Sequence, residues 1–276
     1  MHYQSIISGL LLSATFSVNT WAHDHDHEMK TLAQVVSSDF RQDKNISRDK
    51  YRHPLETLTF FNIKPSETVI ELWPGGGWYA EVLAPYLAQE GQYIAGNFDT
   101  QPEDEKLRQG YRATTGRLFE AWLKEHSVQV GNARTVTFDP PTHYTLGSDA
   151  SVDTVLTFRN LHNWAMKGYL EPVFESTFKV LKSGGIFGIV EHRANPGMTA
   201  KTGYMDEAEV IALAEKVGFT LVAKSDVNAN SKDTKDYPEG VWSLPPRLAL
   251  EEVDKAKYLA IGESDRMTLK FIKNIQ

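Results

Sequence analysis

One short stretch limits what this chain can fold into more than any other. Thr68-Val69-Ile70-Glu71-Leu72 is a β-rich run that ends in Pro74-Gly75-Gly76-Gly77, and a helical pattern from Trp78 to Ala88 follows, with Val82, Leu83, Tyr86 and Leu87 on one face. This is strand, glycine turn, helix. A turn without Cβ atoms lets backbone N–H groups and a helix N-terminus approach a ligand closely, although a tight strand-to-helix turn that binds nothing has the same sequence. Two acids sharpen the pattern. Glu71 lies within the strand, and Asp99 stands 28 residues further on, at the end of the next strand, where an acid can accept hydrogen bonds from both hydroxyls of a ribose.

The alternation extends along the chain. Leu55 to Ile63 has helical spacing before Lys64-Pro65-Ser66 breaks it. After the glycine turn and its helix come strand Gln92 to Phe98, a long charged helix Pro102 to His126, and strands Ala133 to Phe138 and Val152 to Phe158. Helix Leu170 to Leu181, the turn Lys182-Ser183-Gly184-Gly185, strand Ile186 to Glu191, helix Asp206 to Val217 and strands Thr220 to Ser225 and Met267 to Ile272 complete it. Strands alternating with helices imply a mostly parallel sheet covered on both faces. The last two strands, with no regular helix between them, predict a terminal hairpin antiparallel to the rest. That hairpin separates this pattern from a dehydrogenase domain.

The N-terminus reads differently. Ile6 to Val18 is an apolar or small run of 13 residues, too short to span a bilayer, and Thr20-Trp21-Ala22 offers small residues where signal peptidase cuts. Cleavage after Ala22 is expected, with a periplasmic or secreted mature protein and no transmembrane segment left in it. Residues 23–44, opening with His23-Asp24-His25-Asp26-His27, read as a polar tether, and residues 45–276 as one α/β domain. Apolar residues at 41% and charged residues at 24% place the chain among soluble globular proteins. A net charge of −7 supplies no field for phosphate backbones, so nucleic acid is not an expected partner. With no cysteine, thiolate nucleophiles, disulfides and Cys-based metal sites are excluded.

The turn Glu71 to Tyr79 resembles that of class I S-adenosylmethionine (SAM) dependent methyltransferases, and more closely an exported bacterial family carrying Glu-Leu-Trp-Pro-Gly-Gly-Gly-Trp-Tyr. The resemblance runs from about Tyr51 to Lys273 and includes Arg159 to Trp164, Glu191-His192-Arg193, Gly240 to Pro246 and Gly262 to Met267. It implies a Rossmann-like, seven-stranded sheet with SAM across the strand C-termini. Gly75 and Gly77 would face the methionine moiety, with Glu71 beside them, Asp99 would face the ribose, and Asp139 would lie near the adenine. Two positions depart from the pattern. Trp73 stands where the class has glycine, and Asn97 occupies the place where some relatives put the ribose acid, so either Asn97 or Asp99 could hold the hydroxyls.

Polar residues cluster at the expected ligand edge. His162 and Asn160 directly follow the fourth strand, which makes them candidates for acceptor positioning and general-base chemistry, while Trp164 is a candidate acceptor contact. His192 and Arg193 at the end of the fifth strand could bind a polar or anionic substrate, or Arg193 could be held in an ion-pair cluster with Glu191 or Asp265. His53 precedes the first domain helix, a segment that in methyltransferase-like folds often covers the acceptor pocket. The expected function is methyl transfer from SAM to a small-molecule or envelope acceptor. The alternative is a binding module that uses this fold to hold a nucleoside or small metabolite without reaction. At the mature N-terminus, the free amine, two backbone amides and the His25 ring, with His23 leading, form the square-planar nitrogen set that Cu(II) prefers, unless the segment is only a hydrophilic spacer. Titration of Cu(II) into the mature protein should develop a visible band that His25→Ala removes; an identical spectrum for that variant discards the site.

Overall fold

The computed structural model describes Met1 and residues 29–274; the signal-like segment with its Ala22 cleavage site, and His23 and His25, lie outside the described residues. Its strands are β1 (Thr68–Leu72), β2 (Gln92–Asn97), β3 (Arg134–Thr137), β4 (Val152–Phe158), β5 (Leu181–His192), β6 (Phe219–Ser225) and β7 (Arg266–Lys273). They form one seven-stranded sheet in the order β3-β2-β1-β4-β5-β7-β6. The expected mixed α/β architecture is present. Only β7 runs against its neighbours, pairing antiparallel with both β5 and β6, so β6 keeps the direction of the parallel strands.

The sheet's two faces follow from the period of two along each strand. Ile70 and Leu72 pack on one side with Ile94, Phe187 and Phe271. Val69 points to the other side with Tyr93, Leu156 and Leu83. Before the sheet lie α1 (Leu32–Val36), α2 (Asp43–Ile46), α3 (Asp49–Arg52) and α4 (Pro54–Phe61). Within it lie α5 (Ala80–Leu87), α6 (Glu105–Arg108), α7 (Tyr111–Glu125), α8 (Ser127–Val130), α9 (Leu161–Ala165), α10 (Leu170–Val180), α11 (Glu207–Val217) and α12 (Lys255–Ile261).

Four features differ from the sequence reading. Residues 31–44, read as tether, pack on the domain: Thr31 and Gln34 form a capping box, Val35 is buried beside α5, and Arg41 clasps Asp49 with contacts of 2.6 and 2.8 Å. The helix expected from Pro102 to His126 is two helices. Asp104 caps α6, and Gly110 adopts an extended conformation that restarts the chain as α7. β5 reaches back to Leu181, taking in the expected turn as a shift of register between Val152 and Thr154. The segment between the last two strands contains a short 3₁₀ turn, Gly240–Ser243, and the helix α12. No helix among the described residues is long and apolar enough to cross a membrane.

α4 lies close on the sheet because Gly188 offers no side chain. A Cβ there would stand 2.6 Å from Leu156 and 2.8 Å from the Phe61 ring. Gly188→Ala should therefore destabilise the protein by about 1–3 kcal/mol through overpacking. Urea denaturation checks it: a midpoint equal to wild type would show that α4 yields freely.

Candidate functional site

The carboxyl end of β1 sets the site. Trp73 turns the chain with a left-handed φ of 49°, its amide donating to Gly96 O at 2.8 Å, and its indole N–H donates to Phe138 O at 2.8 Å. The ring is buried with centroids 4.9 Å from both Phe98 and Trp164, and the Arg112 guanidinium covers it at 4.4 Å. Trp73 thus fills the space over the ends of β2 and β3. Gly75, at φ 57°, has no heavy atom within 4 Å of where a Cβ would stand. Gly77 faces inward, where a Cβ would meet the Phe119 ring at 3.3 Å.

Beside this turn opens a cleft of about 1040 Å³ at the carboxyl ends of β1, β4 and β5. Of the expected site residues, Glu71, Gly75, Asn160, His162 and His192 line it together. Gly77 does not. Asp99 and Asp139 stay off the wall as well: Asp139 is paired with Arg112 at 3.0 Å and accepts the Asp99 amide at 3.2 Å. Asn97 is buried and holds α7 through Gly116 O at 3.2 Å. Trp164 is a core residue, fully buried against Trp73, and not an acceptor contact. His53 terminates α3 outside the cleft, its neighbour Arg52 entering instead. Arg193 is engaged by Asp226 at 3.0 Å and Asp265 at 3.5 Å, the ion-pair arrangement, away from the cleft.

Two anchored groups organise the β4–β5 end. Asn160, immediately before α9, donates its side-chain amide to Leu72 O at 2.9 Å and so fixes the end of β1 to the end of β4. Glu191 is fully buried and accepts from the Leu161 amide at 2.6 Å, the His192 amide at 2.8 Å and His162 Nδ1 at 3.1 Å. With Nδ1 protonated in that bond, Nε2 of His162 is the basic nitrogen, and it lies 3.1 Å from the Asn163 amide. His192 places Nδ1 2.5 Å from Ser264 Oγ, and burial, then the His162 and arginine charges, hold its pKa well below the usual imidazole range. Donor atoms of His162, Glu191 and His192 lie within 4.8 Å of one another, the only such cluster among the described residues, but the carboxylate already serves three donors.

Next to His192 the cleft wall is cationic, and this was largely missed from sequence. Arg48, Arg52 and Arg159 line it with Glu263, Tyr79 and Trp78. Arg48 Nε meets Glu263 at 2.6 Å, Arg52 Nε at 3.0 Å and Arg266 Nη1 at 3.4 Å. Burial alone would raise the Glu263 carboxyl, yet Arg52, Arg266, Arg159 and Arg48 hold it down to about 2. The available signal was the spacing of Arg48 and Arg52, one helical turn apart beside a Tyr51-Arg52-His53-Pro54 run.

No family model and no curated protein sequence matches the chain. Solved structures do. A SAM-dependent methyltransferase from Aquifex aeolicus superposes with a TM-score of 0.50 at 19% identity, covering 66% of this chain and 87% of that one. One from Methanosarcina mazei gives 0.51 at 12% identity over 79% and 98% of the two chains. The [4+2]-cyclase SpnF gives 0.57 at 13% identity over 87% and 86%. The fold is that of SAM-dependent methyltransferases. At these identities the likeness concerns architecture, and the chemistry has to be argued from the cleft.

Glu71 is the cleft-wall carboxyl shifted upward, opposite in direction to Glu263. Burial pushes it up from 4.5 to about 7, against the Tyr93 hydroxyl, which donates to it at 2.6 Å, and the Arg159 charge. Between pH 4.5 and about 7 the folded chain therefore keeps a proton that the unfolded chain releases, so stability falls as pH rises through that window and levels off above it. The Glu71 share is on the order of 3 kcal/mol. Glu71→Gln should flatten this slope in denaturation curves taken across that window, and an unchanged slope would assign the pH dependence to other groups.

Proposed function

We propose that this chain is an exported SAM-dependent methyltransferase acting on a small-molecule acceptor held in the cleft. The observation that carries the reading is the open glycine turn at the end of β1: Gly75 lines the cleft, and a Cβ there would meet no described heavy atom within 4 Å, which leaves room for a ligand against the backbone. The amino-acid end of SAM fits here, with the Gly75-Gly76 backbone and Glu71 to hold it. The nucleoside end meets different chemistry from that expected, because Asp139 is paired and Asp99 lies off the wall. The flat Arg112 guanidinium, laid over the buried Trp73 and Phe98 rings, lines the cleft there and would stack on a base in place of an acid reaching a ribose. When bound, SAM supplies an electrophilic methyl group.

The chain's own residues then position an acceptor and manage its proton. His162 Nε2 faces the cleft wall with its ring fixed by Glu191, and takes the proton that an acceptor hydroxyl or amine gives up. Asn163 donates to that same nitrogen, so the acceptor has to replace or share this donor. Trp242, Pro245 and Pro246 close the cleft over the two histidines, the Trp242 ring lying 5.9 Å from His162, and reduce the water that competes for the methyl group. Asn160 acts through the backbone of β1 and is a positioning residue, not a proton carrier.

Isothermal titration with SAM tests the reading. Wild type should bind, Gly75→Val should weaken binding at least tenfold because its branched side chain enters the ligand volume in a strained backbone, and His162→Ala should leave the affinity within twofold while lowering transfer of labelled methyl to extracted small molecules by about a hundredfold. No heat with millimolar SAM ends the proposal.

A further inference from the structure

We infer that the arginine wall of the cleft is a binding site for an anionic group, a carboxylate or a phosphate, carried by a ligand of the enzyme. Four guanidiniums, those of Arg48, Arg52, Arg159 and Arg266, gather around a single carboxylate, Glu263. Three of the four line the cleft. Charge in this corner is therefore strongly unbalanced toward positive, and the nearby titratable groups do not correct it. Glu71 is half-protonated near neutrality, the Tyr79 hydroxyl is pushed up to about 12 by burial, and His192 stays uncharged.

The donors are also unfilled. Arg52 is 1% exposed, and its Nη2 has no hydrogen-bond partner among the described residues. Arg48 Nη2 is likewise buried and unpaired. Arg159 lines the cleft, half-buried, on a residue with a left-handed φ of 62°, and its guanidinium makes no hydrogen bond or ion pair with any described residue. A buried donor without a partner costs stability, and a guanidinium presents its N–H groups in a planar fork that matches carboxylate or phosphate oxygens. The Arg52 plane is held at 4.8 Å over the Trp78 ring, so this fork is oriented in advance. Structural ion pairing would have called for more carboxylates here; the described residues instead provide one, and they leave guanidinium donors beside the cleft unpaired.

The inference rests on the reading of this cleft as the ligand site, but not on the identity of the cofactor. Two sources supply the chemistry: the amino-acid carboxylate of SAM, or an acidic group on the methyl acceptor. The test uses the full chain with inorganic phosphate as the probe, in chloride buffer. Phosphate should raise the Tm of wild type saturably, and Arg159→Gln and Arg48→Gln should each weaken that response tenfold or more. Arg159→Gln, which removes a cation with no hydrogen bond or ion pair among the described residues, should keep a Tm close to wild type without phosphate, so a lost response there is not a folding defect. Wild type that ignores phosphate, or a response undiminished in both variants, overturns the inference. Competition separates the sources: phosphate that weakens S-adenosylhomocysteine but not 5′-methylthioadenosine, which lacks the amino-acid carboxylate, places the cofactor's own carboxylate at the arginines. Phosphate that weakens neither places the acceptor there, and both outcomes support an anion site. SAM binding without phosphate binding removes this inference alone, and phosphate binding without SAM binding removes only the proposed reaction.

Discussion

The buried carboxylate of Glu263 is the contact that turns three distant parts of the chain into one cleft. Arg48 and Arg52 reach it from the short helices ahead of the sheet, and Arg266 reaches it from the first residue of β7. Asn230, from the segment after β6, donates its amide to the Glu263 carbonyl at 2.7 Å. Removing one partner from such a buried set typically costs 3–5 kcal/mol, because the remaining charges stay dehydrated and uncompensated. The N-terminal helices and the β6–β7 segment therefore cannot drift from the sheet independently. The same contact also decides the electrostatics, since one acid serving several arginines leaves guanidinium donors unpaired among the described residues.

Trp73 decides where a ligand can lie. A glycine at the end of β1 would leave the ends of β2 and β3 open, whereas the indole fills that region, fixed by its N–H bond to Phe138 O and by two aromatic neighbours at 4.9 Å. The acids that follow those strands then turn to protein partners: Asp139 to Arg112, and Asp99 to the Gln101 amide at 2.9 Å. The cleft is lined by Glu71, Asn160 and the histidines at the β1, β4 and β5 ends. One aromatic side chain at a turn thus governs which strand ends face the cleft.

How much of this was legible in the sequence follows from the range of each interaction. Strand and helix periodicity is local, so β1 and β4 were placed residue for residue and α4 within about two residues. The break at Gly110 was missed because apolar spacing continues across it, while the cap that ends α6 depends on Asp104 alone. Glu71, Gly75, Asn160, His162 and His192 were found because each lies at the end of a strand, and parallel strands bring their carboxyl ends to one edge. Arg48, Arg52 and Glu263 were hidden for the opposite reason. They meet across more than 200 residues of sequence, and nothing in a local pattern announces such a pairing. The expectation for Trp164 failed because a Trp beside polar loop residues reads as a binding contact, whereas its ring is what Trp73 packs on.

Two histidines 5.4 Å apart at one strand edge invite a symmetrical role, and the surroundings argue against it. His162 sits against Glu191, whose carboxylate meets any positive charge that develops when the ring takes a proton. His192 feels Arg159, Arg266 and Arg52, on top of its burial, and stays neutral. The asymmetry has one origin. Glu191 lies at the penultimate position of β5, so its side chain turns toward α9, where the Leu161 amide and His162 await it, while the next residue, alternating to the other direction, presents its imidazole to Ser264 and the arginine wall. One step along a strand therefore separates a ring equipped to accept a proton from one equipped only to donate or accept a hydrogen bond. An anion bound by the arginines would lie nearer the second ring's partners than the first's, which leaves His162 paired with its own carboxylate.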